Sequence, residues 1–354
     1  MRFTFDEQQQ ELAEVARSFF VSGAPMDQVD AGPEAARKAW GHAVEALGVH
    51  LLGVPEEFGG VGGVVGLAAV LEQAGRVLYP APLLTSVGYA NGLLAALGGV
   101  AHKVLRDVAE SGRAAAVVED PAVRLEGDTV IGTAAAVVDA ELADDLLVIA
   151  DGAVVHVDAS EVRMEPREGV DPSRRAARVA FPDVLGTVLA RDAGEAVTLA
   201  RRRAQALAAV EAVGGMRATL DSVVEHVSTR QQFGVPVGSF QAVQHRAVDM
   251  LLELDRATAG AYHAAWCVDA EPETLAWAAP LALVTAASGY GSVARAAIQL
   301  FGGIGFTWEH PAHRHFRRSV ALASQFGTAD QQLDAVHAAV GAIRPESVAQ
   351  ESTY

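Results

Sequence analysis

Arg230–Met250 reads RQQFGVPVGSFQAVQHRAVDM, and the organisation of the chain can be read outward from it. Upstream, Leu199, Leu207, Val210, Val213, Leu220, Val224 and Val227 recur at helical spacing and stop at this Gly–Pro break. Downstream, helices are predicted over Phe240–Asp269 and Glu273–Phe301. A helix end, a turn and a helix start explain that period. They do not explain an arginine, a phenylalanine and a glycine set together at a helix exit. The third helix runs into a second block, QLFGGIGFTWEHPAHRHFRRS, Gln299–Ser319. Its Gly302, Gly303 and Gly305 allow positive φ or a close backbone approach. Successive backbone N–H groups in such a turn make a cradle for an anion. A last helix is predicted over Gln331–Ala342.

Toward the amino terminus, helical periodicity covers residues 5–22, Ala35–Leu47, Leu67–Val77 and Leu94–Leu105. Between the second and third of these, LLGVPEEFGGVGG forbids a continuing helix. Near Gly112 the texture changes to short β-prone runs separated by Gly, Asp and Pro, ending around Arg174–Val184. The expected division is an amino-terminal helical domain (1–112), a middle β-domain (113–188) and a carboxy-terminal helical bundle (189–354).

With 51% hydrophobic and 20% charged residues in 354, the composition is that of a soluble globular protein. The net charge of −17 disfavours nucleic acid and acidic membranes as partners, and a polyanionic ligand would need the few arginines concentrated around it. No apolar run is expected to cross a membrane, and MRFTFDEQQQ lacks the pattern of a secretory signal. The single cysteine, Cys267, fits a reducing cytoplasm and excludes cysteine-built zinc sites. The histidines form no HExxH-like ligand set, so no metal is expected, and no nucleophile arrangement is present. Trp40, Trp266, Trp277 and Trp308 read as core or interface residues.

Together the two blocks resemble the acyl-CoA dehydrogenase family, which carries R-x-x-F-G and Q-x-x-G-G-x-G segments at this separation. FTFDEQQQEL, LGVHLLGVPEEFGGVG and LEQAGRVLYPAPLLTS resemble that family's amino-terminal domain, so the likeness spans almost the whole chain. TWEHPAH…FRR and the DPSRR segment from Asp171 resemble an actinobacterial branch with steroid- and side-chain-degrading members. The resemblance implies a mainly α fold with a central β-barrel-like domain and a carboxy-terminal four-helix bundle. It implies FAD as cofactor, an acyl-CoA substrate, a tetramer, and electron-transfer flavoprotein as acceptor. Arg230 and Phe233 would contact the FAD of a neighbouring subunit, Arg230 at the pyrophosphate. Gln299, Gly302 and Gly303 would close on it from the other side, and Thr328 would lie near its adenine-linked part. Paired guanidinium donors suit phosphate, and glycines admit a ligand to main-chain N–H groups. Arg314, Arg317 and Arg318 read either as a solvated helix start or as an interface or nucleotide-facing cluster.

The family's reaction removes a proton α to a thioester while hydride leaves the β carbon for flavin N5, which requires a carboxylate base and donors to the thioester oxygen. At the usual base position this chain has Phe326, whose backbone N–H is still available to the thioester oxygen. The alternative base position falls near Ala204, flanked by Arg203 and Gln205. The nearest carboxylate on that helix is Glu211, set among small apolar residues where desolvation would raise its pKa as a base requires. Against that reading, Arg217 or Arg203 would pair with it. Glu309 and His310 are further candidates. The stretch matching the family's flavin-packing strands, AVVEDPAVRLEGDTVIGTAAAVV, keeps Glu119 and Asp120 but lacks the usual Trp and Gly-Ser-Asp turn. The expected activity is flavin-dependent α,β-dehydrogenation of an acyl-CoA, alone or as one subunit of a heteromeric enzyme. A non-catalytic partner of the same fold, or altered chemistry on a carrier-bound intermediate, are the alternatives.

Overall fold

The computed structural model describes residues 5–23 and 32–343. Its amino-terminal part holds helices α1 (Glu7–Gly23), α2 (Pro33–Leu47), α3 (Gly63–Arg76), α4 (Asn91–Leu97) and α5 (Ala101–Ser111). Helix α2 starts on a proline, whose missing N–H is harmless in a first turn, and stops at Gly48 with φ 59°. The helical signal expected over Leu94–Leu105 is split, because Gly98 and Gly99 take φ of 69° and 53° between α4 and α5.

Two four-stranded sheets follow. One has the order β1 (Ala115–Glu119), β4 (Asp145–Ala150), β5 (Ala153–Asp158), β8 (Thr187–Ala190), with β1 parallel to β4 and the other pairs antiparallel. The other runs β2 (Val123–Glu126), β3 (Thr129–Val138), β7 (Ala176–Leu185), β6 (Arg163–Arg167), all antiparallel. Alternate residues of the two sheets, among them Val130, Ala134, Val148, Val155, Val179 and Phe181, close one shared core.

The remaining described chain is α6 (Gly194–Thr229), a short hairpin of β9 (Gln231–Gln232) and β10 (Val235–Pro236), then α7 (Gln241–Ala270), α8 (Pro272–Phe301), α9 (Ala312–Gln325) and α10 (Ala329–Ile343). Helix α6 is buried on every side from Arg203 to Met216. A Cβ on Gly214 would lie 1.9 Å from the Glu72 carbonyl oxygen, and one on Gly75 would lie 2.2 Å from that of Glu211. Helices α3 and α6 therefore cross backbone to backbone. Gly215 likewise admits Tyr290 of α8, whose hydroxyl would stand 2.2 Å from an added Cβ. The small residues along α6 serve these crossings.

Two expectations are corrected here. By length and composition the helical run Pro272–Phe306 is apolar enough to cross a membrane. Its Leu283, Ala286, Tyr290 and Val293 are nevertheless buried in the bundle core. Of the two readings of Arg314, Arg317 and Arg318, the solvated helix start does not hold for Arg318: the stretch forms the full helix α9, which buries His315 and Arg318, and Arg318 is taken up by an ion cluster inside the chain. A further apolar cluster joins all three regions, from Leu93 and Leu105 through Ala115 and Leu147 to Ala200 and Ala204 of α6. It seats the amino-terminal end of α6 against both the sheet and the first helices.

Candidate active site

Beside that junction lies a cavity of about 1030 Å³. Thr85 and Tyr89 line it from the π-helical stretch Leu83–Ala90 that leads into α4, Val117 and Glu119 from β1, and Val137 from β3. Helix α6 presents Thr198, Arg202 and Gln205 to it, spaced one turn apart, together with Val197 and Arg201. The α9–α10 turn closes it with Phe326, Gly327 and Gln332. Among the described residues its charged lining consists of Glu119, Arg201 and Arg202. Glu119 forms an ion pair with Arg201 and accepts a hydrogen bond from the Tyr89 hydroxyl at 3.3 Å. Burial pushes the Tyr89 pKa up, only partly opposed by Arg201.

The α9–α10 turn is fixed from below. Gln205 donates to the Gln332 side-chain oxygen at 2.9 Å, and Gln332 donates to the Phe326 carbonyl. Gly327 holds φ 102°, where a Cβ would meet the Gln331 side-chain oxygen at 2.7 Å. The Phe326 N–H points back to the Ser324 carbonyl, so the donor expected for a thioester oxygen is engaged within the turn. The Phe326 ring meets Tyr89 edge-on at 6.1 Å. Thr328 is exposed, and its hydroxyl accepts from the Gln331 N–H at 3.3 Å as a helix cap.

Glu211 does not line this cavity. It accepts from Arg174 at 2.7 and 2.5 Å and from Arg318 at 2.8 Å. Arg318 also binds Asp171 and donates to Ser173 at 2.7 Å. Burial acts to raise the Glu211 pKa, but the attraction of Arg174 and Arg318 outweighs it and holds the carboxyl below its ordinary value. That reverses the raised pKa expected of a base. The partners named from sequence are engaged elsewhere: Arg217 pairs with Glu72 at 2.8 Å, and Arg203 donates to the Gly53 and Val87 carbonyls. Next to the ion cluster, His315 Nδ1 and the Tyr290 hydroxyl share a hydrogen bond of 2.7 Å, and burial lowers the His315 pKa to about 4. Glu309 and His310 lie outside the cavity.

Arg230, Phe233, Gln299, Gly302 and Gly303 are exposed. The carboxy-terminal ends of α6 and α8 meet where His226 stacks edge-on against Phe301 at 5.1 Å, which brings Arg230 and the glycine turn to one end of the bundle. Phe233 is 93% exposed at φ 55°, a strained conformation for a bulky residue. Trp308 is 75% exposed, whereas Trp40 is buried and donates to the Gly112 carbonyl at 2.9 Å. Gly305 is required by packing, since a Cβ there would fall 2.5 Å from the Ile298 carbonyl oxygen. A Cβ on Gly303 would meet nothing, and its φ is not positive. Nothing among the described residues demands glycine at 303.

Residues 6–104 match the acyl-CoA dehydrogenase N-terminal domain, and residues 195–341 match the acyl-CoA dehydrogenase C-terminal domain. The chain belongs to the acyl-CoA dehydrogenase family. Among its relatives is acyl-CoA dehydrogenase IpdE2 of Mycolicibacterium smegmatis, 32% identical over 329 residues, covering 90% of this chain and 96% of that protein. Acyl-CoA dehydrogenase FadE34 of Mycobacterium tuberculosis is 35% identical over 299 residues, which are 82% of this chain but 40% of that longer protein. Among solved structures, a variant of the Tcur3481-Tcur3483 steroid ACAD has a TM-score of 0.84 at 26% identity, with 97% of this chain and 99% of that one covered. The ChsE4-ChsE5 complex from Mycobacterium tuberculosis gives 0.82 at 26% identity, covering 98% of this chain and 100% of that one.

For this acyl-CoA dehydrogenase family member, sequence reasoning overlooked part of the cavity wall. Counting along α6 led to Ala204, which is fully buried in the apolar junction, while the adjacent Gln205 faces the cavity. Glu119 was noticed only as a remnant, and Arg202 not at all; the three-to-four spacing of Thr198, Arg202 and Gln205 was the available signal. Acyl-CoA dehydrogenases are FAD-dependent. Gly303 and Phe233 both lie exposed, Phe233 with its ring edge-on to Phe240 at 6.2 Å.

Proposed function

We propose that the chain takes part in flavin-dependent α,β-dehydrogenation of an acyl-CoA thioester as one subunit of a heteromeric enzyme whose other subunit carries the base. One observation supports this most. The resemblance to the family puts Phe326 where its base is expected, and the one carboxylate that lines the cavity among the described residues, Glu119, is already ion-paired with Arg201. Proton abstraction α to a thioester needs a carboxylate free to take the proton. Glu211, on this reading, is a structural anion rather than the base.

FAD, when bound, supplies the hydride acceptor. In this chain Arg230 would grip the pyrophosphate by paired donors, with Phe233, Gln299, Gly302 and Gly303 closing on the cofactor and Thr328 near its adenine-linked part. Val117, Val137, Val197 and Phe326 would exclude water around an acyl group in the cavity. The two solved relatives at 26% identity, one described as a steroid ACAD and one as a two-chain complex, support a bulky acyl group and a heteromeric assembly. A tetramer in the cytoplasm, passing electrons to an electron-transfer flavoprotein, completes the reading.

The test is to purify the chain alone and together with acyl-CoA dehydrogenase-like chains encoded beside it, then measure flavin absorbance per subunit and its bleaching by acyl-CoA. Flavin and bleaching are expected only in a mixed assembly. Full occupancy and bleaching by the lone chain, abolished by Glu119→Gln, would overturn the proposal. A flavin-free result in every combination would sink any flavoenzyme reading.

A further inference from the structure

We infer that the cavity recognises a ligand bearing a single carboxylate, and that Arg202 is its receptor. Arg202 lines the cavity from α6, between Thr198 and Gln205 on the same helical face. Its neighbours in sequence are turned to other tasks. Arg201 pairs with Glu119, and Arg203, buried and outside the cavity wall, donates through one Nη to the Gly53 and Val87 carbonyls while its Nε is unpartnered. Arg202 has neither a hydrogen bond nor an ion pair among the described residues. Burial also lowers its pKa, the sign of a cation partly stripped of water without a compensating anion. Its guanidinium donors are therefore free to receive a ligand from the cavity.

The charge count selects the partner. Among the described residues, two arginines and one glutamate leave the cavity wall with one positive charge in excess, inside a chain of net charge −17. One carboxylate cancels that excess and matches the guanidinium fork with two parallel hydrogen bonds. A phosphate or diphosphate would overcompensate it, and it would look for backbone donors. The only lining glycine, Gly327, has its N–H turned to the Ser324 carbonyl. The rest of the wall offers Val117, Val137, Val197 and Phe326, an apolar surface for the hydrocarbon that carries the charge. Resting on the function proposed above, the substrate class is an acyl thioester with a second, free carboxylate on its acyl part.

Two arms test this on the full chain, in its mixed assembly where one forms. The first measures binding of decanoate against 1-decanol by calorimetry, in wild type, Arg202→Gln and Arg202→Lys. Wild type should prefer decanoate by about tenfold, the worth of one charge-assisted pair at a half-buried site. Arg202→Gln should lose the preference and Arg202→Lys should keep part of it. Equal binding of acid and alcohol by wild type, no binding of decanoate, or a preference unchanged in Arg202→Gln would each overturn the inference. The second arm compares sebacoyl-CoA with decanoyl-CoA. A preference for sebacoyl-CoA that vanishes in Arg202→Gln extends the receptor to the thioester. If neither thioester binds while decanoate does, the dehydrogenase reading fails and the carboxylate receptor stands.

Discussion

Replacing Glu211 by glutamine would separate a structural anion from a catalytic base. Glu211, Asp171, Arg174 and Arg318 form a cluster whose side chains are 9%, 2%, 9% and 3% exposed, and whose two positive and two negative charges cancel. Glutamine keeps the volume but removes one charge, and it turns an amide donor toward guanidinium donors. Three hydrogen bonds from Arg174 and Arg318 are affected. Leaving one buried charge uncompensated costs about 3–5 kcal/mol. That is a large share of the roughly 5–15 kcal/mol that holds an ordinary domain folded. Equilibrium urea unfolding, followed by tryptophan fluorescence and far-UV dichroism, should show a lower midpoint for Glu211→Gln. The double variant Glu211→Gln with Arg174→Gln restores neutrality and should recover part of the loss, a coupling visible in the double-mutant cycle. If Glu211→Gln unfolds within about 0.5 kcal/mol of wild type, as a harmless surface change would, while acyl-CoA-dependent bleaching is lost, Glu211 is the base and the structural assignment is wrong.

The buried His315–Tyr290 pair predicts a pH dependence. The folded pKa of His315, about 4, lies below its ordinary 6.5, so stability is intact above 6.5 and is lost as pH falls toward 4. Between pH 7 and pH 5 this amounts to about 2 kcal/mol by proton linkage, and a His315→Asn variant should lack that part of the urea-midpoint shift. Gly214→Ala should destabilise by about 1–3 kcal/mol, because its Cβ meets the Glu72 carbonyl; a stable Gly214→Ala would contradict the close α3–α6 crossing. Gly303→Ala should leave unfolding unchanged within about 0.5 kcal/mol yet lower flavin per mixed assembly. Unaltered flavin content there would remove Gly303 from the proposed cofactor contact.

How legible the site was in the sequence depended on how local its causes are. The Arg230 and Gln299 blocks carry turn chemistry within a few residues, so the bundle could be drawn from them. The sequence neighbours of Glu211 are small and apolar, but its surroundings are ionic, because its partners lie 37 and 107 residues away and no period along α6 points to them. The same distance effect hid α9. Its arginines look like a solvated run until Asp171, Ser173 and Glu211 arrive from other elements to receive Arg318. Ala204 and Gln205 show a subtler limit: neighbours on a helix point about 100° apart, so a count that is off by one moves a residue from the cavity into the core.

Helix α6 is also the common ruler of two unrelated tasks. Thr198, Arg202 and Gln205 meet the cavity, and two turns on Glu211 meets its arginines. A single inserted residue between them would rotate one set against the other by about 100°, and either the cavity or the ion cluster would lose its register. This stretch of the helix can therefore vary by exchanging side chains but not by changing length, so new ligand preferences must come from substitution along a fixed scale.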